Sequence, residues 1–167
     1  SSGPGTPYHM AGELFKSMSG TDILHVPHKN SGDARNAVVG GHVQMMLDAV
    51  TAMKGSIDGG TVRALATTGQ KRSAVLPGVP TVNEAGVRGY DATIWLGIMA
   101  PKGTPREIVD RLNAEISRII ARPAIRDAWA KQGAEAMTMT PAEFESYLNA
   151  DIEKWARVIK AAGIKLQ

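Results

Sequence analysis

The sequence predicts an α/β fold in which helices alternate with short strands of a largely parallel sheet. Segments with helical spacing of apolar residues alternate with short continuous apolar runs, and glycine-marked joints separate them. The chain has 167 residues, enough for one domain or two small ones with a substantial core. Its apolar content of 43% and charged content of 21% are those of an ordinary globular protein.

The composition also argues against several classes of protein and site. The formal charge of +3 is mild and the 19 Lys and Arg residues are scattered, so nucleic acid is not an expected partner. The absence of cysteine excludes disulfides, thiol nucleophiles and thiolate metal sites. No apolar run approaches the roughly 20 residues that a membrane span needs. The lack of a signal peptide does not indicate the cytoplasm, because a mature or truncated chain would look the same.

The first half of the chain carries the clearest alternation. Thr6 is the predicted N-cap of a first helix, Pro7 fits its first position, and Gly20 follows its end. Strands are predicted over residues 23–26, 43–47 and 62–67, with helices between them that begin at Ser31 and Ala49 and end near Gly40 and Gly59. In parallel sheets, ligands bind beyond the carboxyl ends of the strands, and Asp48 follows one such end.

The second half of the chain is punctuated by proline and glycine and then becomes more helical. The predicted elements are a short helix capped by Thr81, a strand over residues 92–100 that crosses between lobes, a helix capped by Thr104, a segment opened by Pro123, a short strand over residues 137–139 and a helix from Thr140 to Gly163. Trp95 and Trp155 are predicted to lie in the core or at a lobe interface rather than to form a stacking platform.

The predicted start of the first helix differs from three similar ones. A glutamate follows three residues after each of the other threonine caps, and its carboxylate can fill the helix end as a capping box; these caps are Thr81, Thr104 and Thr140. After Thr6 that position is His9. The first helix is therefore free to accept a carboxylate from a ligand. The alternative is an ordinary cap with His9 at the surface.

Other residues near the predicted joints complete the candidate binding set. Gly3 and Gly5 allow the backbone to approach a docked group closely. Asp48 can accept a hydrogen bond from an amino or hydroxyl group of a ligand, or can instead cap the helix that follows it. Lys29 can attract acidic solutes, or is simply a solvated surface residue.

Enzymatic chemistry is not predicted. The sequence contains no Gly-x-Ser-x-Gly elbow, Walker lysine or His-Glu-x-x-His motif. His25 and His28 have no third ligand spaced to join them, so neither a metal nor another cofactor is expected. The enzymatic alternative would use the helix start at Thr6 as an oxyanion or phosphate site, with a nucleophile and a base within hydrogen-bonding reach.

Several short motifs occur in order along essentially the whole chain. They include Ser2-Gly3-Pro4-Gly5-Thr6-Pro7-x-His9, His25-Val26-Pro27-x-Lys29, Gly41-x-Val43-Gln44-Met45-x-x-Asp48, Val62-Arg63-Ala64-Leu65-Ala66, Leu76-Pro77-x-Val79-Pro80-Thr81 and Ala100-Pro101-x-Gly103-Thr104-Pro105. Taken together, they resemble the substrate-binding proteins of tripartite tricarboxylate transporters, the TctC or Bug type.

The resemblance implies a periplasmic binding protein-like fold of type II, in which two α/β lobes close on a small carboxylate. Residues 1–91 would form the second, ligand-binding lobe. Residues 92–167 would supply a crossover strand and C-terminal helices that belong to the first lobe. Roughly the first hundred residues of such a receptor, including the signal peptide, would lie outside this chain. The apolar faces of the C-terminal helices would then be exposed and favour self-association of the fragment.

The resemblance also implies a function and a site. The protein would work in the periplasm and pass a dicarboxylate, tricarboxylate, acidic or aromatic acid to membrane permease subunits; the alternative is a ligand sensor of the same fold. Gly5, Thr6 and His9 would hold one ligand carboxylate, with Asp48 on the rim. Pro27 and Lys29 would belong to the matching ligand-facing loop. His28, Asn30 and Ala49 depart from the family pattern, which leaves the ligand's identity open.

Overall fold

The computed structural model describes residues 1–164 of the chain. Its helices are α1 (Pro7–Ser19), α2 (Ser31–Val39), α3 (Val50–Asp58), α4 (Arg106–Ile120), α5 (Pro123–Ala130) and α6 (Pro141–Ala162). Within that described part, no helix has both the length and the apolar character needed to cross a membrane.

The three helices of the first half lie where the sequence predicts them. The Thr6 hydroxyl caps α1 by accepting the N–H of His9, and Gly20 ends the helix with a left-handed φ of 67°. The Asn30 side chain caps α2 by accepting the N–H of Asp33. Local capping therefore fixes the boundaries of α1 and the start of α2.

The segments predicted as strands are mostly unpaired, and in this respect the element prediction is wrong. Within residues 1–164 one isolated β-bridge forms, a parallel one between Thr67 and Thr81. A β-ladder needs a neighbouring strand about 4.8 Å away. Leu24 and Leu96, from two of the predicted strands, are instead 87% and 98% exposed. These apolar runs have the composition of strands but form no β-bridge with another segment among the described residues.

The core joins α1 to the chain that follows the bridge. Tyr90 is 1% exposed, and its hydroxyl donates to the carbonyl oxygen of Ala11 at 2.8 Å. Ala11, Val82 and Ala92 surround it, with Trp155 of α6 packed against this cluster. α6 contacts both α1 and α4, so it links the two halves of the chain.

The second half confirms one predicted cap and corrects another. Thr140 and Glu143 form a complete capping box at the start of α6, and Gly163 ends that helix in the left-handed region, as predicted. Thr104 does not cap α4, because its hydroxyl donates to the Pro101 carbonyl at 2.8 Å and closes the preceding turn. α4 instead begins at Arg106 without a side-chain cap.

Two of the three tryptophans, Trp95 and Trp155, are partly buried and pack against other side chains of the protein. The ring of Trp95 meets Phe144 and Tyr147 edge-on, with ring centroids 5.6 and 5.7 Å away. Its indole N–H donates to Asp151 at 2.9 Å. Trp95 therefore fastens the extended segment around it to α6.

Candidate functional site

A short loop over residues 3–6, called here the glycine loop, leads into α1. Gly3 and Gly5 have φ angles of 123° and 74°, which favour glycine. The Thr6 hydroxyl donates to the Gly3 carbonyl at 2.8 Å, and the N–H of Gly5 donates to Nδ1 of His9 at 3.0 Å. The imidazole therefore folds back on the glycine loop, and its neutral form carries the proton on Nε2.

The first turn of α1 has an unfilled end. It contains no acidic residue, and Pro7 has no N–H to donate. The N–H of His9 donates to the Thr6 hydroxyl, and the N–H of Met10 donates to the Thr6 carbonyl oxygen. In the part of the chain that the structure describes, no acceptor meets the N–H of Tyr8. One donor at the positive end of the helix is therefore open to a ligand.

Two other turns with threonine caps are filled by the chain's own carboxylates. Glu84 accepts the N–H of Thr81 at 2.9 Å, and Glu143 accepts the N–H of Thr140 at 2.8 Å. These backbone hydrogen bonds hold the pKa of both glutamates below its usual value. The predicted filling by a glutamate is thus present at Thr81 and Thr140 and absent at Thr104, where α4 begins without a side-chain cap.

His9 stacks on His25 beneath the glycine loop. Their ring centroids lie 3.9 Å apart with an interplanar angle of 15°, and His9 is 8% exposed. Burial lowers the pKa of His9, and burial together with the neighbouring His9 lowers the pKa of His25 to about 4. Both rings are therefore neutral at pH 7, and His9 shapes the glycine loop without adding positive charge.

Asp48 is held inside the protein by groups from two parts of the chain. Its side chain is fully buried, and Oδ2 lies 2.5 Å from Nε of Arg35 in α2. Its Oδ1 accepts the N–H of Ala49 at 2.8 Å. Leu47, the residue before it, packs against the core cluster that contains Ala11 of α1. Burial and then the Asp48 carboxylate raise the pKa of Tyr8.

Arg35 is a site residue that sequence reasoning missed. It precedes Asp48 by 13 positions and belongs to a different element. Since no local motif links such residues, only the tertiary fold reveals the pair.

The loop around Pro27 packs against the start of the chain. The amino group of Ser1 donates to the Val26 carbonyl at 3.1 Å, and the N–H of His28 donates to the Ser1 carbonyl at 2.9 Å. Pro27 and Lys29 are both exposed. The structure thus brings Pro27 beside the glycine loop, whereas among residues 1–164 it records no hydrogen bond or ion pair between Lys29 and that loop.

Two shallow cavities lie away from the glycine loop, one where α4 meets the start of α6 and one beside the end of α3. Within residues 1–164, no three side chains of the metal-binding types converge on one point. The first turn of α1 therefore offers the N–H of Tyr8 to a ligand that lies on the surface of this chain, whereas the N–H groups of the glycine loop are bonded within the chain.

The family model described as tripartite tricarboxylate transporter family receptor matches residues 1–164. The chain belongs to this family. Membership confirms the resemblance stated above. It also supports the expectation of a protein that binds a solute rather than an enzyme, because the family is one of receptors.

Two curated relatives match nearly all of this chain. A protein in the tcbD–tcbE intergenic region of a Pseudomonas species is 39% identical over 160 residues, which is 95% of this chain and 48% of the relative. Protein BugT of Bordetella pertussis is 35% identical over 163 residues, which is 98% of this chain and 50% of BugT. The chain thus spans about half the length of these relatives.

Three solved structures share the fold. Rpa4515 of R. palustris, solved with adipate, superposes with a TM-score of 0.86 and 36% identity, covering 96% of this chain and 54% of the other. The periplasmic binding protein BugD superposes with a TM-score of 0.81 and 33% identity, covering 96% of this chain and 54% of BugD. MatC from Rhodopseudomonas palustris, solved with bound malate, superposes with a TM-score of 0.79 and 30% identity, covering 91% of this chain and 53% of MatC. The predicted fold class, that of a periplasmic binding protein, is confirmed.

Proposed function

We propose that this chain provides the ligand-receiving lobe of a periplasmic receptor for a small carboxylate, which delivers its ligand to the permease subunits of a tripartite tricarboxylate-type transporter. Family membership supports the role of receptor. Two structural neighbours were solved with the dicarboxylates adipate and malate. Residues 1–91 would form the ligand-binding lobe, and residues 92–167 would contribute to the other lobe.

The observation that carries the proposal is the unfilled first turn of α1. A ligand carboxylate placed there accepts the N–H of Tyr8 and lies at the positive end of the helix dipole. Hydrogen bonds to a charged group contribute about 1.5–3 kcal/mol each, so micromolar affinity requires further donors beside the N–H of Tyr8. Gly3 and Gly5 let the ligand approach the backbone, while Thr6 and His9 fix the shape of the loop.

We place the remaining predicted residues, Pro27, Lys29 and Asp48, around the first turn of α1 rather than in contact with the carboxylate. Pro27 lies in the loop packed beside the glycine loop, and Lys29 is an exposed positive charge one residue beyond His28. Asp48 follows Leu47, which packs against the core cluster that contains Ala11 of α1. We assign Pro27 and Lys29 to the rim of the site and Asp48 to its support.

A substitution that fills the helix end from within tests the proposal. His9→Glu recreates the Thr-x-x-Glu pattern that closes the turns at Thr81 and Thr140, so its carboxylate would compete with the ligand. His9→Gln is the matched control, because it has nearly the same shape without the charge.

The measurement is a thermal-shift titration with adipate, malate, citrate, glutamate and benzoate, using dimethyl adipate as the uncharged comparison. Binding raises the melting temperature by mass action. The receptor that contains this chain should respond to at least one acid and not to the diester. His9→Glu should abolish the response that His9→Gln retains. Equal responses in the two variants would contradict the assignment of the site, and no response of the receptor to any acid would contradict the function.

A further inference from the structure

We propose that Arg35, held in place by buried Asp48, recognises a second anionic group of the ligand. The site would then select acids with two negative charges over acids with one. This inference rests on the proposed function, because it needs a first carboxylate at the start of α1. Its basis is the pairing geometry of Arg35, which no sequence motif predicts.

The guanidinium of Arg35 is only partly used by the protein. Arginine has five N–H donors in a planar fork, and a purely structural pair with a carboxylate commonly uses two of them side by side. Here Nε alone donates to Asp48, whose other oxygen is taken by the N–H of Ala49. Among residues 1–164 no acceptor meets Nη1 or Nη2 of Arg35. Two nitrogens that carry four N–H donors are therefore available to a ligand.

The exposed fractions of the two side chains support a ligand-contacting role for Arg35 and a positioning role for Asp48. The Asp48 side chain is fully buried, whereas 35% of the Arg35 side chain is exposed. A buried carboxylate is costly without a partner, so Asp48 fixes the inner edge of the guanidinium and directs its outer edge to solvent. Arg35 would touch the ligand, and Asp48 is a positioning residue.

The location of the pair supports a role in the same site. Tyr8 lies in the first turn of α1 and carries the N–H that no described residue accepts. Leu47, the residue before Asp48, packs against the core cluster that contains Ala11 of α1. The Arg35–Asp48 pair therefore lies next to a residue packed on α1, and the Asp48 carboxylate also raises the pKa of Tyr8. We place both anion contacts within reach of one small ligand on this basis.

Two acids of the same chain length provide the test. Adipate and hexanoate share a six-carbon skeleton but carry two carboxylates and one. Titration calorimetry on the receptor that contains this chain should show adipate binding at least about tenfold more tightly, the effect of one charge-assisted hydrogen-bonded pair. Arg35→Gln should reduce that ratio to about threefold or less, with the affinity for hexanoate unchanged.

Two further variants keep the test decisive. Arg35→Gln leaves Asp48 buried without its cation, so the double variant Arg35→Gln with Asp48→Asn removes both charges and should show the same loss of preference. Arg88→Gln removes an exposed arginine elsewhere and should keep the wild-type ratio.

The outcomes separate the two proposals. A ratio unchanged in both Arg35 variants, or a wild type that binds hexanoate as tightly as adipate, would overturn the role of Arg35 and leave the carboxylate receptor standing. Failure of the wild type to bind any acid of the thermal-shift panel would overturn both. Loss of adipate and hexanoate binding together in the double variant would show a structural role only and overturn the selectivity.

Discussion

At the scale of single residues, the stacked pair of His9 and His25 makes the glycine loop sensitive to acid. Nε2 of His25 lies 2.6 Å from the Ser1 hydroxyl, and Nε2 of His9 lies 3.7 Å from Glu13. Burial favours the neutral rings, and the positive charge of Lys16 opposes protonation while Glu13 favours it. The net effect is a lowered pKa for both histidines.

We expect the free energy of unfolding to fall as the pH drops from about 6.5 towards 4. In this window the unfolded chain protonates His25 and the folded chain does not, so the unfolded state binds more protons and acid favours it. Protonation of Glu84 and Glu143 lowers the free energy of unfolding further, but only below about pH 4.5, because the pKa of a glutamate in the unfolded chain lies there.

Urea unfolding at a series of pH values measures this dependence. His25→Gln should flatten the slope between pH 6.5 and 4.5, whereas the exposed His42→Gln should keep it. If the urea midpoint of the wild type does not change between pH 6.5 and 4.5, the histidines protonate as readily in the folded protein as in the unfolded chain. That result would contradict the prediction.

The Arg35–Asp48 pair also predicts which ligands the site rejects. An ammonium group placed near Asp48 would meet the guanidinium of Arg35, while the carboxylate that could accept it is buried and engaged. We therefore expect 2-aminoadipate to bind about tenfold more weakly than adipate in calorimetry. In Arg35→Gln that difference should shrink. Equal affinities in the wild type would mean that the amino group points away from the pair.

The sequence indicated part of this site and could not indicate the rest. Thr6, Pro7 and His9 lie within four positions of one another, so a local capping pattern was enough to mark the open helix start. The inward turn of His9 depends on His25, and the engagement of Asp48 depends on Arg35. Such contacts follow from packing between elements, which one sequence does not display.

At the scale of secondary structure, the caps of α6 and α4 provide a matched pair of threonines. The Thr140 hydroxyl accepts the N–H of Glu143, whereas the Thr104 hydroxyl only closes the turn before α4. Thr140→Ala should therefore lower the free energy of unfolding by about 1 kcal/mol, the usual cost of a lost cap. Thr104→Ala should change it by less than about 0.5 kcal/mol.

Urea denaturation monitored by circular dichroism compares the two variants at one pH. Equal losses would mean that the cap of α6 contributes nothing beyond an ordinary surface hydroxyl.

The same contrast explains why helices were easier to predict than strands. α1 and α6 are specified within their own sequence by a threonine cap, an apolar stripe and a terminal glycine. A strand is completed only by a neighbouring strand, and the apolar runs at residues 23–26 and 92–100 form no β-bridge among the described residues. Thr104 shows that a local capping pattern can also mispredict a helix start, because its hydroxyl donates to the Pro101 carbonyl instead of capping α4.

At the scale of the whole molecule, exposed apolar side chains occur on the segment before α4 and on α4 itself. Leu96, Ile98 and Met99 are exposed, and on α4 Ile108 and Leu112 are 45% and 49% exposed. α4 keeps its apolar residues on one face, so its own exposed side chains form an apolar stripe. Contiguous apolar surfaces of this kind are uncommon on monomers and favour association.

We expect the chain on its own to self-associate through this surface at micromolar concentrations. Leu112→Lys places a charge in the centre of the apolar face, so it should shift the population towards monomer, as measured by light scattering coupled to size exclusion. Ala114→Lys adds the same charge on the opposite, exposed face of α4 and should leave the assembly unchanged. If both variants and the wild type elute as compact monomers that bind no hydrophobic dye, the surface does not drive association. Equal disruption by the two lysines would place the contact elsewhere on α4.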